Sequence, residues 1–129
     1  MDRIVKKELN VSKIDSKCLV QSGHAEIESN KILFIFGNAL EVLHWDEFYE
    51  SVEEIHLEYV WFDLIVYHQN LEKLWSYTNL KKIYLNNNNL NSFILLSKLE
   101  SLQSLRHIII ENNDILKCSL LKTFLVYWF

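Results

Sequence analysis

The chain of 129 residues reads as an α/β fold in which short parallel strands alternate with short helical segments. Three observations predict this. The stretch NLKKIYLNNNNL, residues 79–90, spaces apolar side chains at Leu80, Ile83, Leu85 and Leu90, with Asn88 inside the turn. The pattern returns 25 residues later as Leu105, Ile108, Ile110, Asn113 and Ile115. An earlier copy starts 28 residues upstream as Val52, Ile55, Leu57, Val60 and Phe62, with valine in the asparagine place. A period of about 20–29 residues with this spacing marks a strand that feeds a tight turn, tied to its neighbour by a side-chain amide. Each unit buries its apolar face only against the next one, so the units are expected to stack.

Residues 1–17 are polar and charged, with Ile4, Val5, Leu9, Val11 and Ile14 at no clean period. They are read as a flexible lead-in or linker. From Cys18 the texture changes to short β-prone runs, Cys18–Val20, Ala25–Glu28 and Ile32–Phe36, separated by the turn residues Ser22, Gly23, Ser29 and Asn30. A stack of parallel strands leaves an open first edge, which an antiparallel hairpin can cover. Residues 18–37 are assigned that capping role. After Gly37, Leu40 and Leu43 suit a degenerate first repeat strand, so cap and first repeat together span 18–45; Asp46, Glu47 and Glu50 form an acidic loop. Three repeats then fill 52–115.

The segments between strands read as helical. Residues 63–74 place Leu64, Tyr67, Leu71 and Leu74 at 3-4-3 spacing, with Asp63 as N-cap. Residues 93–102 carry Leu95, Leu99 and Leu102 in a short helix or irregular turns. Residues 116–129 suit a C-terminal capping helix built on Leu120, Leu121 and Phe124. A free FLVYWF tail would invite aggregation, so the natural protein is expected to continue beyond Phe129.

Composition narrows the function. Net charge is −4, from 13 basic and 17 acidic residues, which speaks against a nucleic-acid binder or a partner of anionic lipid. No apolar run reaches the ~18 residues of a membrane span, and the N-terminus lacks the apolar core of a signal peptide. Cys18 and Cys118 stand far apart with no paired motif, so a reducing, cytoplasmic setting and inert thiols are expected. His24, His44, His56, His68 and His107 have no second ligand at metal-binding spacing, and no metal is expected. With two glycines there is no phosphate-cradling loop, and no nucleophile stands beside a base. No cofactor and no catalytic residue are assigned.

What remains is surface. The outward positions of the three repeat strands fall in three rows: Glu54, Lys82, His107; His56, Tyr84, Ile109; and Glu58, Asn86, Glu111. The central row is the candidate partner-binding patch, because Tyr84 is an anchor type and Ile109 on a solvent face asks for a reason. The same rows would also serve as a plain solvated sheet with good cross-strand pairs, such as Glu54 with Lys82.

The repeats from Val52 to Ile115, with the closing ILKCSLLKTFLVYWF, resemble the short intracellular leucine-rich repeats of ciliary and centrosomal proteins. The proline and closing strand typical of that family are absent before Phe129. A narrower resemblance, to the leucine-rich-repeat subunits of tubulin polyglutamylase complexes, lies in Phe36–Leu40, the Trp61-Phe62-Asp63 corner and Leu121–Tyr127. The family resemblance implies a leucine-rich-repeat solenoid with a curved parallel sheet. The narrower one implies a non-catalytic scaffold that helps place a glutamate-adding enzyme on microtubules of cilia or centrioles. The alternative is a structural capping or dimerisation domain of a larger protein, with self-association as its mark.

Overall fold

A computed structural model describes residues 6–9, 23–118 and 120–121. The chain is α/β: a six-stranded, open, mostly parallel sheet with a few short helices. The strands are β1 (Lys6–Leu9), β2 (His24–Glu28), β3 (Ile32–Phe36), β4 (Glu54–Glu58), β5 (Lys82–Asn86) and β6 (His107–Glu111), and they lie side by side in chain order. β1, β2 and β3 pair antiparallel, while β3, β4, β5 and β6 pair parallel.

The register follows from alternation. Leu33, Ile55, Ile83 and Ile108 align across the parallel strands, as do Ile35, Leu57, Leu85 and Ile110. In β3, β4 and β5 these residues are at most 1% exposed, and each such side chain contributes about 2 kcal/mol by leaving water. A slip of one residue would turn all of them to solvent, so the buried face locks the pairing. Against that face pack residues of the crossovers, including Val42, Leu43, Phe62, Leu74, Tyr77 and Leu96, in one continuous cluster. Tyr77 enters it through its hydroxyl, which donates to the Leu43 carbonyl at 3.1 Å. Its ring meets Tyr49 edge-on at 5.0 Å.

Backbone ties repeat at both strand ends. At the start, the carbonyl before each strand accepts two N–H groups from the next: Lys31 from Glu53 and Glu54, Glu53 from Lys81 and Lys82, Lys81 from Arg106 and His107. At the finish, each parallel strand runs into a residue with positive φ: Gly37 (66°), Tyr59 (55°), Asn87 (56°) and Asn112 (51°). The β2–β3 hairpin turns on Ser29 and Asn30, both at positive φ, as a type I′ turn requires. Gly23 precedes β2 because a Cβ there would lie 2.1 Å from the Asn38 carbonyl carbon.

Several expectations need correction. Within the presumed lead-in 1–17, Lys6–Leu9 is a strand, and Leu9 is buried. One buried leucine beside Ala25 suffices to dock it, a signal too short to show periodicity. Leu40 and Leu43 are not in a strand but in a 3₁₀ helix, Leu40–His44, because Ile32–Phe36 already occupies the strand position beside β4. The helix expected over 63–74 is two pieces, α1 (Phe62–Ile65) and α2 (His68–Trp75). Trp61 and Tyr67 sit at their N-cap positions and make no side-chain cap bond, so Asp63 is not the cap. Residues 93–101 form α3 (Phe93–Ser97), capped by Ser92, and a 3₁₀ turn. At the C-terminal end, Asp114–Lys117 is 3₁₀. Cys18 and most of the expected capping helix, 122–129, lie outside the described residues.

Candidate interaction face

The sheet has two unlike faces. One is sealed by the crossovers; the other carries the alternate residues of every strand, which are half-buried or exposed. The three expected rows are in register: Glu54 beside Lys82 beside His107, His56 beside Tyr84 beside Ile109, and Glu58 beside Asn86 beside Glu111. The Lys82 ammonium lies 3.6 Å from Glu54, a half-exposed pair worth little in stability.

The central row extends further than sequence reasoning reached. Phe34 of β3 pairs with His56. Its ring lies 4.6 Å from the imidazole, which stacks in turn on Tyr84 at 4.0 Å and an interplanar angle of 14°. Phe36, one step along β3, is 43% exposed and meets Tyr59 at 5.0 Å. The missed signal is Ile32-Leu33-Phe34-Ile35-Phe36, apolar at every position. A strand with a solvated face should alternate, and this one does not.

Two cations lie over the row. The Lys6 ammonium, supplied by β1, lies 4.7 Å from the Phe34 ring centroid, and that of Lys82 lies 5.8 Å from Tyr84. His56 approaches Glu54 at 3.5 Å, yet burial outweighs this contact and the charges of Glu58 and Glu28, holding its pKa below the ordinary value. The imidazole is therefore neutral at pH 7 and joins the stack as an aromatic ring. His24, His44, His68 and His107 are exposed and stand apart.

The third row is polar and internally bonded. Asn86 donates to Glu58 at 2.9 Å, and the Asn86 side-chain oxygen Oδ1 accepts from the side-chain amides of Asn87 and Asn112 at 3.0 and 2.9 Å. Beneath it sits the amide ladder. Asn88 donates to the Val60 and Leu57 carbonyls at 2.8 and 3.1 Å, so the ladder starts at Asn88 and reaches back to the turn that lacks its own asparagine. Asn113 accepts from the Asn88 and Leu90 backbone amides and donates to Leu85 and Glu111.

Among the described residues no three His, Cys, Asp or Glu side chains gather as a metal site would need. A groove of about 670 Å³ behind α2, lined by Leu74, Trp75, Tyr77, Ser101 and Leu102 among others, holds no carboxylate, thiol or imidazole. No helix among the described residues is long and apolar enough to cross a membrane. Compared with known protein families, curated proteins and solved structures, the chain finds no match.

Proposed function

We propose that the chain is a leucine-rich-repeat solenoid acting as a non-catalytic protein-binding module through the open face of its sheet. The observation that carries this reading is the aromatic row Phe34, His56 and Tyr84, continued by half-buried Ile109, on a face that no described helix covers. Amphipathic aromatics at the centre of a patch with polar borders are the composition of a binding hot spot. The 25- and 28-residue spacings and the buried asparagines support the repeat assignment.

The finer reading is an assembly or targeting subunit of a tubulin-polyglutamylating complex in cilia or centrioles. It rests on the resemblance at Phe36–Leu40, Trp61–Asp63 and Leu121–Tyr127. Affinity capture from an extract of ciliated cells tests both levels. Wild-type protein should retain a defined set of proteins that includes a glutamate ligase, and a Tyr84→Glu/Ile109→Glu variant of unchanged circular dichroism should lose it. Retention by that variant would remove the open face from the proposal.

A second reading, a capping or self-associating domain, draws support from β6. Its residues Ile108, Ile109 and Ile110 are all only half-buried, and no described strand pairs with its outer edge. Sedimentation at micromolar concentration separates the two: a dimer favours this reading, a monomer the first.

A further inference from the structure

Resting on the binding-module reading, we infer that the partner segment is extended and basic, with an arginine or lysine seated on Tyr84 above Ile109. Among the described residues, the open face presents Glu8, Glu26, Glu28, Glu54, Glu58 and Glu111 against Lys6 and Lys82, with His24 in contact with Glu8 and Glu26. Among the described residues, Glu28, Glu58 and Glu111 have no cation in ion-pair reach, while Glu54 is shared by Lys82 and His56. A nucleic acid or an anionic membrane would meet six carboxylates; a cationic peptide meets its complement.

Ring geometry then places the cation. The aromatic stack has two end faces, because His56 covers one side of Tyr84 and one side of Phe34. At the Phe34 end, the chain's own Lys6 ammonium lies over the ring. At the Tyr84 end the neighbour in register is Ile109, whose side chain offers a floor but no charge. Lys82 lies 5.8 Å from the Tyr84 centroid, near the limit for a cation–π contact, and is held toward Glu54. A planar guanidinium suits the Tyr84 end, where Lys82 is the distant cation over the ring: it stacks on the ring while its edge donates to a carboxylate. Glu111, next along β6 on the same face, is the acceptor in reach. From Tyr84 to Glu28 is three strand spacings, roughly 14 Å, which an extended chain covers in about four residues. Basic residues four apart therefore match the face.

The test uses a fluorescein-labelled peptide of three Arg-Ser-Gly-Ser units, titrated with the full chain at 50 mM and 300 mM salt and read by anisotropy. Saturable binding is expected that weakens at least tenfold in the higher salt. Tyr84→Leu and Glu58→Gln/Glu111→Gln should each weaken it at least fivefold, while Tyr84→Phe retains it. Glu47→Gln/Glu50→Gln removes the same charge from an exposed site elsewhere and should change nothing. No binding at low salt, equal binding of a glutamate-substituted peptide, or equal loss in the Glu47/Glu50 variant would overturn the inference. If the Tyr84→Glu/Ile109→Glu variant still loses its captured partner in that event, the binding face stands and only the basic occupant falls.

Discussion

β4 and β5 are neighbours with the same length, the same alternation and the same exit, yet they finish in different chemistry. Each buries its second and fourth residues, Ile55 and Leu57 or Ile83 and Leu85, and each passes into a left-handed residue followed by a buried one. After β5 these are Asn87 and Asn88; after β4 they are Tyr59 and Val60. Asparagine tolerates positive φ, and its buried successor returns two hydrogen bonds to the preceding turn. Tyrosine at φ 55° carries the steric cost of a Cβ in the left-handed region, and Val60 has no side-chain amide with which to return a bond. The β4 turn thus supplies a buried valine and two acceptor carbonyls, and its side-chain tie comes from Asn88 of the β5 turn. Tyr59 is 52% exposed and its ring meets Phe36 at the surface, outside the core.

The largest test of that difference is removal of the amides. Asn113→Ala orphans the buried Asn88 and Leu90 N–H groups and should cost about 3 kcal/mol in chemical denaturation. Asn88→Ala orphans two carbonyls, and its own side-chain oxygen already lacks a partner among the described residues. About 2 kcal/mol is expected there. A smaller loss is expected from Val60→Ala, and an equal one would show that polar and apolar turns are interchangeable in weight.

A second test concerns the strands themselves, since β4 places a titratable ring where β5 places Tyr84. Burial lowers the pKa of His56, so the unfolded chain takes up its proton first as pH falls. Its contribution is present above about pH 6.5 and is lost as the pH drops through the lowered folded value. Stability should thus decline on acidification from pH 7.5 to 5, and His56→Gln should decline less over the same window. Parallel curves would mean that the imidazole protonates freely in the stack.

The smallest effect is expected at Tyr59. Tyr59→Asn gives the β4 turn the residue found at 87 and 112, relieving about 1 kcal/mol of backbone strain and forfeiting about 0.5 kcal/mol of ring contact. A net gain near 0.5 kcal/mol should appear as a slightly higher unfolding midpoint. A loss would place the Phe36–Tyr59 contact above the strain.

Which residues of the last three strands face in, which face out and which align was legible in the sequence. The reason is local: a period of two along each strand and fixed spacings between strands leave a single register that keeps Ile55, Ile83 and Ile108 together. The start of the amide ladder at Asn88 was legible for the same reason, since Val60 has no amide to offer. Other features were decided only by what lies opposite in space. Lys6–Leu9 becomes a strand because β2 presents an edge and Ala25 leaves room for Leu9. Ile32–Phe36 displaces Leu40–Leu43 from the strand position because it, and not they, reaches the register of β4. Phe34 joins His56 and Tyr84 because parallel pairing continues one strand beyond the visible pattern. Spacing along a chain encodes direction and phase; the neighbour that a side chain finally meets is set by the assembled sheet.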